Sequence, residues 1–287
     1  MADKYILISK ITALSLFIFV ALACKDKEAS GNDSKPIAPP QQPSQPSAYS
    51  QLLWSDEFDG KEIDLTKWQH EVNDNGGGNN ELQYYTPEPR NSYLQNGNLV
   101  IEAIKEDYKT RKYTSARLNT KGKVDWMYGK IEVRAKLPKG QGIWPAIWML
   151  PTDEEFGGWP KSGEIDIMEM VGHQPSTLHG TVHYGPAWPK NQQKTTSYVL
   201  PTGDFSDDFH VFSIIWDKNL IRWYIDGMQY FTIKPEDLKP HIYPFNAKFH
   251  VLLNLAIGGN WPGNPDDTTV FPQKMLVDYV RVYKKPG

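Results

Sequence analysis

The chain has 287 residues, a net charge of −3 and 13% aromatic residues, with 10 Trp and 15 Tyr. No basic cluster accompanies this mild acidity, which excludes a nucleic-acid binder of the usual kind and points to a neutral partner or one recognised by shape. The single cysteine, Cys24, excludes a disulfide framework within the chain and a thiolate metal site.

Lys4 and Lys10 precede an apolar run from Ile11 to Ala23. At about thirteen residues it is shorter than the ~20 that span a bilayer, so it reads as an export signal. It ends Val20-Ala21-Leu22-Ala23-Cys24, which resembles the lipobox of bacterial lipoproteins. That resemblance implies cleavage before Cys24, lipidation of Cys24, a place in the bacterial cell envelope, and membrane contact through the lipid alone. The next four residues, Lys25-Asp26-Lys27-Glu28, resemble surface-export signals of some Gram-negative lipoproteins and imply an outer-membrane, surface-exposed anchor. Residues 25–50 are rich in Ser, Gln and Pro, with Pro36, Pro39, Pro40, Pro43 and Pro46; they cannot build a core and read as a solvated tether. Residues 51–287, roughly 235 in number, suffice for one all-β domain.

From Leu52 onward the pattern is one of short strands. Leu99–Ala103 follows the turn-like Asn96-Gly97-Asn98, and Gly129–Ala135 alternates apolar and charged residues. Phe212–Trp216 and Ile221–Ile225 flank a polar turn, and Leu276–Tyr283 closes the chain. Period-two runs between turn residues predict antiparallel sheet, and only Glu236–Leu238 suggests a turn of helix. The architecture that fits is a sandwich of two curved antiparallel sheets.

The segment Glu164-Ile165-Asp166-Ile167-Met168-Glu169 is the most informative. In a strand, Glu164 and Asp166 share one face and the isoleucines the other. Strict alternation would bury Glu169 among the isoleucines, at a high cost. A β-bulge near Met168 returns it to the acidic face. Two glutamates so placed could bring their carboxyls to the ~5–5.5 Å of a retaining glycosidase, with Asp166 between them shifting their pKa values apart. Three acids on a strand also admit a solvated face or a divalent-metal site.

This string resembles the ExDxxE signature of glycoside hydrolase family 16, and its surroundings resemble the laminarinase (endo-1,3-β-glucanase) branch. The matching segments are Trp54-Ser-Asp-Glu57-Phe-Asp, Gly78-Asn79-Asn-Glu-Leu-Gln-Tyr84, Trp144-Pro-Ala-Ile-Trp148, His179-Gly-Thr-Val-His183-Tyr-Gly, Gly258-Gly-Asn-Trp261-Pro-Gly and Asp278-Tyr-Val-Arg-Val-Tyr283. The resemblance implies a β-jelly roll with its cleft on the concave face, and endo-acting, retaining hydrolysis of a β-1,3-glucan. It implies Glu164 as nucleophile, Glu169 as acid and base, and Asp166 as supporting acid. Trp144, Trp148 and Trp261 would face the sugars, with Trp159 a further cleft candidate. Asn79 and Arg117 would bind sugar hydroxyls, and His183 would tune Glu169. The family needs no cofactor for catalysis. Many members carry a structural calcium, which implies Glu57, the Gly97 carbonyl and Asp278 as ligands here. The short glycine-rich loop 73–80 favours internal attack. The chain is expected to act as a monomer on β-glucan. The alternatives are a mixed-linkage 1,3-1,4-glucanase, another hydrolase or transglycosylase of the family, and a glucan-binding module that does not cleave.

Overall fold

The period-two runs form strands in the computed structural model, which describes residues 48–286. Cys24 and nearly all of the tether lie outside the described residues. In chain order the strands are β1 (Gln51–Asp56), β2 (Gln69–His70), β3 (Gln83–Tyr85), β4 (Ser92–Gln95), β5 (Asn98–Tyr108), β6 (Arg111–Ser115), β7 (Arg117–Asn119), β8 (Gly129–Lys136), β9 (Ile143–Pro151), β10 (Glu164–Glu169), β11 (Thr177–Tyr184), β12 (Gln192–Val199), β13 (His210–Asp217), β14 (Leu220–Ile225), β15 (Met228–Ile233), β16 (Phe249–Ile257) and β17 (Gln273–Lys284). Two 3-10 turns interrupt them, Gly76–Gly78 and Pro235–Leu238; the second is the helical turn expected around Glu236. Among the described residues no helix is long and apolar enough to cross a membrane.

The strands make a ten-stranded sheet, whose main path is β15-β14-β13-β8-β17-β5-β6-β3, and a seven-stranded sheet, β12-β11-β10-β9-β16-β7-β2. Pairings are antiparallel except that of β3 with β6, which is parallel. The β4–β5 hairpin turns at Asn96 and Gly97, with φ of 53° and 73°; two residues of positive φ match the twist of the strands they join.

The inner faces meet in one apolar layer. Ile131, Val133, Ile214 and Trp216 of the larger sheet pack with Ile147, Met149, Ile165, Val182 and Leu253 of the smaller. Burying Ile165, Ile167 and Met168 contributes roughly 1.5–3 kcal/mol each. That burial fixes which face β10 turns inward, because a one-residue slip would exchange these residues with the acids. The sheets are also bonded directly: the buried Trp223 indole N–H on β14 donates to the Asp166 backbone carbonyl at 2.8 Å. An indole N–H inside a core requires such an acceptor, and this one holds the acid-bearing strand against its backing.

Candidate active site

Strand β10 carries the expected bulge. Against β9 its register runs Asp166↔Trp148 and then Met168↔Ile147 and Glu169↔Ala146. Against β11 it runs Asp166↔Thr181 and then Glu169↔His179. Ile167 and Met168 both go into the core, 2% and 0% exposed, and Glu164, Asp166 and Glu169 all line one cleft.

The three acids do not share one environment. Asp166 is 1% exposed. Burial, then the negative charge of Glu164 and a hydrogen bond with it, hold its carboxyl well above the usual carboxylate range. Burial also raises Glu169 well above its ordinary value, reinforced by the charges of Asp166 and Glu164. His183 and a hydrogen bond from Trp144 oppose that rise; the Trp144 indole N–H lies 3.1 Å from Glu169 Oε1. Burial and mutual repulsion thus push both Asp166 and Glu169 toward the protonated form. His183 Nε2 sits 3.3 Å from Asp166 Oδ2 and 3.9 Å from Glu164 Oε1, so its direct contacts are with the first two acids and its effect on Glu169 acts through space. Ligand atoms of Glu164, Asp166 and His183 lie within 4.8 Å of one another.

Trp144, Ala146 and Trp148 alternate along β9 and face the cleft, where Asn79, Arg117 and Asn254 join them. Arg117 is 9% exposed, with its guanidinium over Tyr85 at 4.5 Å and Trp148 at 5.3 Å. It pairs with Glu71 at 3.5 Å and Glu81 at 3.6 Å. Asn254 accepts from the Trp148 indole at 2.7 Å and donates to the Tyr85 hydroxyl at 3.2 Å. Such a charged and aromatic floor is rigid because every member fixes its neighbour. Trp261 is 42% exposed and stands edge-on to Trp144, with ring centroids 5.5 Å apart, at the rim. Trp159 donates its indole N–H to Glu164, a more central position than its loop setting suggests. Asn79 is set by the glycine turn: Gly76, Gly77 and Gly78 all have positive φ. A Cβ on Gly77 would lie 2.1 Å from the Glu81 carboxylate, so only glycine lets this loop close on the cleft.

Glu81 and Asn254 were not singled out from the sequence. Glu81 lies inside the quoted Asn79–Tyr84 segment, and Asn254 is a lone amide in the apolar run of β16, which is a readable signal.

The residues implied for calcium lie on the other sheet. Glu57 follows β1, Gly97 closes the β4–β5 turn, and Asp278 sits at a bulge in β17. Two carboxylates and a carbonyl suit calcium. Each carboxylate already holds an arginine, however: Arg281 contacts Glu57 at 2.7 and 3.0 Å, and Arg134 contacts Asp278 at 2.6 Å. An ion in this set competes with these arginines for the carboxylates.

Comparison with known proteins agrees with this geometry. A family model described as "Glycosyl hydrolases family 16" matches residues 79–281. The chain is 45% identical over 247 residues to a beta-glucanase of Rhodothermus marinus, covering 82% of this chain and 85% of that protein. It is 40% identical over 258 residues to glucan endo-1,3-beta-glucosidase A1 of Niallia circulans, of which it spans 38% while 82% of this chain is covered. The laminarinase catalytic domain of Thermotoga maritima MSB8 superimposes with a TM-score of 0.77 at 48% identity, covering 83% of this chain and 99% of that one. The chain thus belongs to glycosyl hydrolases family 16.

Proposed function

We propose that the chain hydrolyses β-1,3-glucan internally with retention of anomeric configuration. One observation carries the reading: Glu164 and Glu169, the latter with its pKa raised by burial, line one tryptophan-lined cleft with the buried Asp166 between them. Glu164 attacks the anomeric carbon, and Glu169 gives its proton to the departing oxygen. Water then enters, Glu169 takes a proton from it, and the glycosyl–Glu164 bond breaks. The proton on Asp166 stabilises the Glu164 carboxylate until it reacts, and His183 orients the pair. Trp144, Trp148 and Trp261 offer ring faces to the sugars, and Asn79 and Arg117 offer donors to their hydroxyls. The preference for β-1,3 linkages follows the similarity to the endo-1,3-beta-glucosidase of Niallia circulans and the laminarinase of Thermotoga maritima.

The test is release of reducing ends from laminarin, with lichenan and agarose alongside. Strong release from laminarin, lost in Glu164→Gln, supports the reading. Cleavage of another polymer alone overturns the substrate, and cleavage of none by a folded chain overturns the reaction.

The same proposal includes anchorage to the bacterial envelope through a lipid on Cys24. Incorporation of labelled fatty acid by the parent chain and its loss in Cys24→Ser is the expected result. Equal labelling of both would refute the anchor.

A further inference from the structure

Beside the acids stands a histidine that the mechanism does not use. His179 on β11 is the cross-strand partner of Glu169 on β10, and side chains paired in this way on one face stand within about 5.5 Å at Cβ. His179 Nδ1 lies 3.0 Å from Ser197 Oγ on β12. Its Nε2 is buried and has no hydrogen-bond partner among the described residues. A buried polar atom without a partner carries a cost and calls for an explanation. Its ring is held edge-on against Trp261, with centroids 5.0 Å apart and planes at 75°.

The location gives this nitrogen a use. The enclosed part of the cleft, with Arg117, Trp148 and Asn254, lies over β9, β16 and β7. His179, Ser197 and Trp261 lie on the opposite side of the acids, toward β11 and β12. A polymer cut from within occupies both sides. Glu169 must reach the departing oxygen, so its neighbour on the side away from the Arg117 pocket faces the departing half.

We infer that His179 Nε2 hydrogen-bonds a hydroxyl of the sugar on the leaving side of the cleaved bond, making His179 a specificity-determining residue for the leaving sugar and for any sugar acceptor in transfer. This rests on the glucanase reading above. Either tautomer serves, since a ring N–H donates to a hydroxyl oxygen and a bare ring nitrogen accepts from a hydroxyl. Burial also lowers the His179 pKa, which favours the neutral ring.

The test compares two substrates of the full chain. One is a β-1,3-linked oligosaccharide, with sugar on both sides of the cut. The other is a nitrophenyl glycoside of the same oligosaccharide, whose leaving group is a phenol. For His179→Ala, kcat/KM on the oligosaccharide is expected to fall about tenfold, the worth of one hydrogen bond. The value on the nitrophenyl glycoside should change less than about twofold, because no hydrogen bond to a leaving sugar is lost there. Transfer to an added sugar acceptor should fall with the first value. His179→Gln, which keeps polar atoms at similar reach, should recover part of the loss. Ser197→Ala should move both values in the same direction by less. Equal loss on both substrates would mean that His179 only supports Glu169, and no loss on the oligosaccharide would mean that Nε2 meets no sugar; either overturns the inference. Failure of the parent chain to cleave either substrate overturns the glucanase reading itself, and this inference with it.

Discussion

In the proposed mechanism Glu169 gives up a proton as Glu164 attacks, and the Glu169 pKa is set by groups that can be removed singly. The Trp144 N–H bond to Glu169 favours the ionised carboxylate and so lowers its pKa. Trp144→Phe keeps a ring in the cleft but deletes that donor. The Glu169 pKa then rises, and the basic limb of the kcat/KM profile on β-1,3-glucan should move to higher pH. An unmoved or acid-shifted limb would refute this account. Asp166 makes a second case. Its pKa is raised in the folded chain, by burial first and then by Glu164. Below the ordinary carboxylate range it is neutral whether folded or unfolded and carries no charge penalty. As pH rises from that range toward the folded pKa, the unfolded chain ionises first and stability is lost. Asp166→Asn does not titrate, so its Tm advantage over the parent should widen from acid toward neutral pH. Its activity should fall on the order of 10²-fold or more. A Tm difference that is flat or narrows with pH would show that Asp166 is not held protonated.

At the scale of the strand, β11 must lie close against the larger sheet, and Gly180 makes this possible. A Cβ at Gly180 would sit 2.6 Å from the Tyr230 hydroxyl and 2.7 Å from Trp223 Cδ1. Trp223 is the residue that holds the Asp166 carbonyl. Gly180→Ala should therefore destabilise the chain by about 1–3 kcal/mol in urea unfolding, as overpacking does. It should also lower activity, because the displaced indole disturbs the acid strand; full stability would mean that the sheets can separate locally. Strands were legible in the sequence because burial on one face imposes period two. The β10 bulge was legible because Glu169 cannot be buried among isoleucines without a partner. Register was not. Alternation places His179 and His183 on one face but does not say that His183 pairs with Glu164 and His179 with Glu169. The floor of the cleft was hidden for a related reason. Glu81 and Tyr85, Arg117, and Asn254 meet from three regions far apart in the chain, and no local pattern records such a meeting. Trp159 showed its loop through Gly158 and Pro160, but not the direction of its indole N–H.

For the whole molecule, the seven-stranded sheet carries the candidate site and the ten-stranded sheet backs it. A calcium ion at Glu57, the Gly97 carbonyl and Asp278 would belong to the backing, so its effect should fall on stability and not on turnover. Its affinity is set by competition, because Arg281 and Arg134 hold the two carboxylates, and the Arg281 hydrogen bonds lower the Glu57 pKa. An ion bound only to the folded chain at a hundredfold excess over its Kd adds about 2.7 kcal/mol. In a chain of this size that corresponds to a rise in Tm of about 5–10 °C. Under the calcium reading, Tm should rise by about that much between chelator and calcium, while kcat at moderate temperature stays the same. Glu57→Gln should lose the increment, whatever it does to the baseline by breaking its own ion pair. Arg281→Gln should enlarge it, since the carboxylate is then free for the ion. Equal Tm in chelator and calcium for the parent and for Arg281→Gln would leave the arginines as the sole partners of these carboxylates and remove the metal from the account.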